Sequence, residues 1–461
     1  MPSIKSTVGD PLGVLASITK QGARRHCHPV KVKGRFARIR PFIYWGFFAA
    51  WALAPWIQMN GNPLIQFDIA ARRFHLFGES FNAQDAWLAF FFITGLAFLL
   101  FVLSALWGRI WCGFACPHTV ILETVYRPIE TLWEGKPGAR KKRNKKGPAG
   151  WSKGDWGRKI GKWGTYVVLS ITIAHIFVAY FVSVPRLFEM VRHNPTENWV
   201  PFLWVATMSA AIFFNFAWFR EQLCFAICPY GRLQSVLADV DTVVIGYDKK
   251  RGEPRGRGDG KGDCIDCNKC VAVCPTGIDI RNGLQMECVG CAACIDACEG
   301  IMTKQGKPLG LIRFDSVAGF EGARKRFWRP RVFIYLVAGI AGIIAFTTAW
   351  SVSDPFQANI LRLGGAPYTV TDGVVRNSFE LHVENKRASE LQLTVGNDLP
   401  SGFELVTPLP QVTLEGQSGQ HLPIFISIPV EEFTGDISFD LVLFDGETAH
   451  RVTGRFIGPN L

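Results

Sequence analysis

Thirteen cysteines dominate the chemistry available to this sequence, and twelve of them fall into four regular arrangements. Residues 264–275 read Cys-Ile-Asp-Cys-Asn-Lys-Cys-Val-Ala-Val-Cys-Pro, a C-x2-C-x2-C-x3-C-P run. Residues 288–298 repeat the spacing as Cys-Val-Gly-Cys-Ala-Ala-Cys-Ile-Asp-Ala-Cys. Three thiolates in so tight a loop can grip a compact multi-metal centre, with a fourth supplied from a distance. Paired zinc sites are the competing reading, but zinc usually takes two separated C-x2-C knuckles rather than runs of four thiols. Glu299 follows Cys298 where the first run has Pro275; that position shapes a turn and is not a ligand. Gly277 and Gly290 suit the close backbone approach such a centre demands.

Two further pairs share a second pattern. Arg109-Ile-Trp-Cys112-Gly-Phe-Ala-Cys116-Pro117-His118 and Arg220-Glu-Gln-Leu-Cys224-Phe-Ala-Ile-Cys228-Pro229-Tyr230 are both C-x3-C-P. Residues four apart share one helix face, with Cβ atoms about 6 Å apart. If the two segments meet, four thiolates converge. Soft thiolates select Cu(I), zinc or iron–sulfur centres. Free packed cysteines at helix ends are the plainer alternative, weakened by the doubling of the pair at equivalent positions. Other candidates are slighter. His26-Cys27-His28 has ligand chemistry in a basic tail, His175 lies inside an apolar run and more simply bonds a neighbouring helix, and His75 and His193 fall in loops between runs. Six methionines make no copper-binding Met motif.

Five segments without Asp, Glu, Lys or Arg would position these cysteines: Phe42–Ile57, Ala86–Trp107, Gly164–Val184, Trp199–Phe219 and Val332–Trp350. About 20 apolar residues cross a bilayer as a helix. The last four runs suit that length, and the first is shorter and carries Pro55. With 461 residues, 48% apolar content, 36 Phe and 15 Trp, the chain is neither disordered nor an ordinary soluble globule, and its cysteines are too sparse for a disulfide scaffold. Nothing in the first 41 residues reads as a cleaved signal peptide, so the first run is expected to act as an uncleaved anchor.

The net charge of +12 is distributed unevenly. Residues 1–41, 108–163 and 220–331 hold nine, thirteen and eighteen Lys or Arg, against two each in 58–85 and 185–198. The tail 351–461 holds six, with fourteen acids. The basic bias places the N-terminus and the segments after the second and fourth runs in the cytoplasm, and the tail outside. All thirteen cysteines then fall on the reducing side, where thiols stay available as ligands. The excess charge reads as a topology signal with contact to membrane lipid. The Arg140–Lys146 run has no aromatic platform, so no nucleic-acid binding is expected.

Residues 246–263 are Gly-rich and charged, which suggests a flexible linker that would let the metal-bearing segment swing toward the membrane. After Trp350 come short β-like runs at Ser378–Val383, Leu391–Val395, Phe403–Val406, Gln411–Leu414, Leu422–Ile428, Ile437–Phe444 and Val452–Ile457. About seven strands in such a stretch fit an immunoglobulin-like sandwich. The expected class is thus a multi-domain membrane protein with about five transmembrane α-helices. Its parts are a basic N-terminal segment (1–41), a four-helix membrane domain carrying both C-x3-C-P pairs (42–245), the linker (246–263), a cysteine-rich domain (264–331), a fifth helix (332–350) and an immunoglobulin-like β-sandwich (351–461).

The doubled cysteine run resembles bacterial two-cluster ferredoxins, which hold two [4Fe–4S] clusters. In that pattern the fourth cysteine of each run serves the other cluster. The resemblance therefore assigns Cys264, Cys267, Cys270 and Cys298 to one cluster and Cys288, Cys291, Cys294 and Cys274 to the other. Across nearly its full length the chain is similar to the cytochrome c oxidase accessory proteins of the CcoG type, also called FixG or RdxA. The resemblance rests on Gly34-Arg-Phe, Phe67-Asp-Ile, Arg72-Arg73-Phe, Phe77-Gly78, both C-x3-C-P pairs, Tyr247-Asp, Arg251-Gly-Glu-Pro-Arg-Gly, the ferredoxin motif and the β-rich tail.

That resemblance implies a multi-pass protein of the bacterial inner membrane, with a cytoplasmic ferredoxin module and a periplasmic C-terminal domain. It implies an oxidoreductase that converts cytoplasmic Cu(II) to Cu(I) for assembly of the cbb3-type oxidase. Cys112, Cys116, Cys224 and Cys228 would be the copper-binding, catalytic cysteines. A copper-exporting ATPase and oxidase assembly factors would be its partners, the electron donor is left open, and a homodimer is compatible. Two other functions fit the same residues: a quinol-oxidising electron conduit, like the membrane ferredoxin of periplasmic nitrate reductase systems, and a non-enzymatic copper-binding scaffold. The conduit proteins lack a sandwich tail.

Overall fold

In hydrocarbon, backbone polar groups must be satisfied internally, so the charge-free runs can cross a bilayer only as helices. The computed structural model describes residues 27–459 except 60, 70–71, 83–84, 352–355, 388 and 447–448. His26 lies outside the described residues. Among the described residues, four helices are long and apolar enough to cross a membrane. They are Ala86–Trp107, Lys153–Val178, Trp199–Phe214 with its π-helical continuation Asn215–Phe219, and Pro330–Ser351. Side chains such as Phe90, Ile93, Val168, Trp204 and Ile334 are exposed, as lipid contact requires. The first apolar run falls in a helix, Arg35–Leu53, that opens with Arg35, Arg38 and Arg40 and gives way to a 3-10 turn containing Pro55. It is not among the four. The Lys153–Val178 helix begins well before its apolar run because Ser152 and Asp155 form a capping box.

The chain divides into two units. One holds the residues through Ala54, Ala89–Ala179 and Pro185–Phe346, and the other holds Pro55–Leu88, Tyr180–Val184 and Thr347–Leu461. Within the first, Ala86–Trp107 crosses Pro330–Ser351 at small residues: a Cβ added to Gly342 would lie 2.9 Å from Gly95 Cα. Close backbone approach of this kind is how helices associate where no hydrophobic force separates protein from solvent. Leu122, Tyr126, Tyr166, Ile173 and Phe216 form a second contact, between Lys153–Val178, the Trp199–Phe219 segment and the π turn Leu122–Tyr126.

The ferredoxin-like module of this unit is built on an antiparallel pair, Val244–Tyr247 with Ile312–Asp315, and on the helices Lys269–Ala272 and Ala293–Lys304. Ile245, Tyr247, Ile280, Ile295, Ile301, Met302, Leu311 and Ile312 make its apolar core. The module reaches back to the N-terminal segment. Val30 N–H donates to Ala272 O at 3.0 Å. The Asp296 carboxylate accepts from the N–H groups of Phe36 (3.2 Å) and Ala37 (2.7 Å), capping the Arg35–Leu53 helix. A Cβ at residue 34 would fall 2.3 Å from Asp296 Cγ, which accounts for Gly34 sterically.

The 246–263 stretch corrects the expectation of a flexible linker. Gly246 and Tyr247 belong to the first strand, and Lys249–Gly252 is a helical turn capped by Asp248. Arg251 grips Asp263 through Nη2 at 2.8 Å and donates to Leu309 O at 3.1 Å, while Gly256 N–H donates to Cys264 O at 2.9 Å. Glycine and charge here serve a folded loop with left-handed turns at Gly256, Gly258 and Gly260.

In the second unit the tail forms two antiparallel sheets. One orders Glu404–Val406, Gly419–Pro429, Val374–Asn385 and Phe356–Arg362, with Thr369–Thr371 pairing the start of Val374–Asn385. The other orders Gln411–Leu414, Leu391–Asp398, Ile437–Phe444 and Ala449–Phe456. Alternate residues of the long strand, Val375, Phe379, Leu381 and Val383, are buried against Ile424, Ile426, Leu441 and Leu443. All seven β-like runs lie on strands of these sheets, and Phe356–Arg362 and Thr369–Thr371 add to them. The same unit holds a small sheet of Ile65–Asp68, Arg73–Leu76 and Glu79–Asn82. Arg73 donates to Gln417 O at 2.6 Å and pairs with Glu384, and Lys386 pairs with Asp85 at 2.8 Å.

Candidate metal centres

The two ferredoxin-type runs fold into matching loops. Asp266 and Asn268 in the first, and Gly290 and Ala292 in the second, all have φ between 55° and 70°. Asn268 and Ala292 then start the helices that carry Cys270 and Cys294. Each loop opens on a chamber. The first is lined by Cys264, Cys267, Cys270 and Cys298, with Tyr247, Ile265, Leu311 and Ile312 around them. The second is lined by Cys274, Cys288, Cys291 and Cys294, with Cys270 of the first run also lining it and Ile245, Ile278, Ile280 and Val289 as walls. The fourth cysteine of each run therefore sits in the other run's chamber.

The residues fit a pair of [4Fe–4S] clusters. Burial pushes the Cys270 thiol up to about 11 and those of Cys288 and Cys298 up to about 12, and Cys294 is raised well above the usual thiol range by the same cause. Buried thiolates need a counter-charge, and iron supplies one. Among the described residues no three His, Cys, Asp or Glu side chains close on a single ion. Four sulfurs spread around a chamber suit a cluster better than a mononuclear site.

The paired C-x3-C-P segments also come together, through the same backbone device used twice. Cys116 (φ −61°, ψ 125°) and Cys228 (φ −62°, ψ 114°) are the N-caps of helices that begin Pro117 and Pro229. Proline at the first helical position costs no hydrogen bond and presets φ. Cys112 lies on the short helix Ile110–Phe114, and Cys224 on the π turn Leu223–Ile227. The Cys112 thiol is pushed up to about 12, by burial first and then by Cys116 and Cys228. Burial also raises Cys224, and Cys116, Cys112 and Cys228 add to it. Contact of His118, two residues after Cys116, with Cys224 Sγ at 3.8 Å brings the two segments together, and among the described residues the thiols do not close on one ion.

Sequence reasoning missed the groups around these thiols. His118 Nδ1 lies 3.8 Å from Cys224 Sγ, and its buried ring stacks on Phe216. Gln234 Oε1 accepts from Cys112 Sγ at 3.5 Å. Arg109 Nη2 donates to Gly231 O at 2.7 Å, and Arg109 also bonds Met286 O beside the second ferredoxin run. Closeness to the C-x3-C-P segment was the only signal available for His118 and Arg109, and Gln234 carried none.

The slighter candidates stay apart. Cys27 Sγ lies beside Gly277, where an added Cβ would sit 2.6 Å away. His28 Nε2 is 3.0 Å from Asn144 Nδ2, and its pKa is lowered to about 4 by burial and Arg140. His175 Nδ1 bonds Ile171 O of its own helix at 2.8 Å. His75 Nδ1 bonds Ser80 at 2.8 Å, and His193 faces Glu197 at 3.3 Å.

Two four-thiol chambers on a ferredoxin-like module, a third thiol group near helix ends, and membrane-length helices define a membrane-bound iron–sulfur protein of the electron-transfer class. Profiles of known families match accordingly. A 4Fe-4S dicluster domain matches residues 219–259 and 255–317, and a 4Fe-4S binding domain matches 88–145. The Ig-like fold at the C-terminus of FixG matches 346–459. Protein RdxA of Cereibacter sphaeroides is 29% identical over 417 residues, which span 86% of each chain. Nitrogen fixation protein FixG of Rhizobium meliloti is 30% identical, covering 83% of this chain and 82% of its own. Protein RdxB of Cereibacter sphaeroides is 32% identical, covering 83% and 84%. The chain belongs to the FixG/RdxA family.

Proposed function

We propose that this protein reduces Cu(II) to Cu(I) at the Cys112, Cys116, Cys224 and Cys228 thiols, for assembly of a cbb3-type oxidase. The observation that carries the reading is the meeting of two equivalent C-x3-C-P segments beside a ferredoxin-like module. Clusters held by the eight ferredoxin cysteines supply single electrons at low potential. Thiolates favour Cu(I) over Cu(II), so the four cysteines make reduction more favourable. Gln234 and His118 orient Cys112 and Cys224, and of the four cysteines Cys112 is buried while the others are partly exposed. The uneven Lys and Arg distribution supports a cytoplasmic module, a periplasmic tail and an inner-membrane location. A copper exporter and oxidase assembly factors would then take up the product.

The test is anaerobic. Full-length protein is loaded, reduced and freed of reductant, then mixed with stoichiometric Cu(II) and a Cu(I)-specific chelator. Cu(I) should appear as the cluster absorption recovers; clusters that stay reduced beside unchanged Cu(II) would sink the copper reading. The match of residues 88–145 to a 4Fe-4S binding domain favours a second reading, in which the same four thiols hold another iron–sulfur centre of an electron conduit. Iron well above about eight per chain, with no copper uptake, would support it.

A further inference from the structure

The two ferredoxin chambers are related by repetition, yet their loops differ at the residue before the second cysteine. In the Cys288 loop that position is Gly290, and in the Cys264 loop it is Asp266. Both are left-handed, at φ 70° and 57°. Asp266 is half exposed and pairs with Arg281, and Cys267 beside it is exposed. Gly290 is covered. A Cβ added to it would lie 2.6 Å from Arg109 O, and a Cβ added to Gly113 would lie 2.5 Å from Gly290 O and 2.9 Å from Val289 O. Backbone therefore meets backbone, with no side chain between the Cys112 segment and the Cys288 loop.

Four hydrogen bonds clamp this contact. Tyr44 Oη donates to Gly113 O at 2.6 Å, and Arg40 Nε donates to that hydroxyl at 2.9 Å. Arg109 ties Met286 O of the ferredoxin module to Gly231 O, just past Cys228. One arginine thus spans both C-x3-C-P segments and the second ferredoxin run.

We propose that Gly113 and Gly290 are positioning residues that seat the Cys112 segment against the Cys274, Cys288, Cys291 and Cys294 ring. That ring, and not the Cys264 ring, is the electron-exchange neighbour of the paired-helix cysteines. The Cys264 ring, with its exposed Cys267, is the outer of the two and faces the electron source. The inference rests on the copper reading only for the identity of the final acceptor.

The experiment uses full-length, cluster-loaded protein under argon, reduced with dithionite and then desalted. Cys264→Ser retains only the Cys288 ring's centre, and Cys288→Ser only the other. One electron leaves the protein for each Cu(II) converted to Cu(I), and no bond in the chain is made or broken. Reoxidation by stoichiometric Cu(II) should be at least tenfold slower in Cys288→Ser than in Cys264→Ser. Equal rates, or the opposite order, overturn the proposal. Gly113→Ala is then added to each variant. It should alter the electron paramagnetic resonance line shape of the Cys288-ring centre and leave that of the Cys264 ring unchanged. If Cu(II) oxidises neither variant nor the wild type, the copper reading falls, and the Gly113→Ala spectra alone decide. An altered Cys288-ring signal upholds the seating, and an unaltered one refutes it.

Discussion

Cys298 shares a chamber with Cys264, although it stands on the same helix as Cys294, which faces the other chamber. The Ala293–Lys304 helix passes between the two rings and presents one thiol to each. The two rings are thereby laced together by a single rigid element.

Ligand exchange of this kind has a spectroscopic consequence. Cys298→Ser should remove the same resonance signal as Cys264→Ser, and Cys274→Ser the same signal as Cys288→Ser. Each should lower bound iron by about half. Pairing of Cys298→Ser with Cys288→Ser instead would contradict the chamber assignment.

The division of labour between the cysteine sets is equally open to test. Cys112→Ser or Cys224→Ser should abolish Cu(I) formation while the cluster absorption persists, because neither residue lines a ferredoxin chamber. Loss of absorption together with activity would show that the two sets are one structural unit.

His28 should make the fold sensitive to mild acid. Burial, then Arg140, lowers its pKa from 6.5 to about 4, against opposing contributions from Glu130 and Glu134. Between those values the unfolded chain binds the proton and the folded chain does not, so stability falls as pH drops from about 6.5 toward 4. His28→Gln should flatten that dependence. Limited proteolysis of the N-terminal segment at pH 5 and pH 7.5 measures it; equal acid sensitivity in both proteins would remove His28 as the cause.

Gly34→Ala should loosen the Arg35–Leu53 helix from the module, since the new methyl would overlap the Asp296 carboxylate. Asp296→Ala removes the cap itself. Loss of such a cap costs about 1 kcal/mol. Both variants should melt earlier in detergent than the wild type, and Asp296→Ala should also speed cluster bleaching. Unchanged melting in both would mean that the contact contributes nothing.

Cysteine spacing was readable because it encodes local loops, and the crossing of Cys274 and Cys298 followed from the ferredoxin resemblance. Membrane-length helices were readable from the absence of charge. Polar beginnings were not: the capping box at Ser152 extends one helix far into a charged stretch. The order in 246–263 comes from distant partners, such as Leu309 for Arg251, which composition does not reveal. Strands of four residues or fewer near Phe67 and His75 are too short to show alternation, and Arg73 finds Glu384 across 311 positions. His118 read only as the residue after a helix-starting proline, and the fold alone brings it to Cys224.

The cap on the first helix spans 260 positions of sequence. A ribosome completes Arg35–Leu53 and several later helices before it makes Asp296. This cap on the first helix can therefore form only once the second cysteine run has left the exit tunnel. Asp296 lies between Cys294 and Cys298, so the residue that closes the N-terminal helix arrives with the last thiols of the module. The cap of the N-terminal helix thus cannot form before the cysteines of the module have been made, apart from Cys298 two residues later.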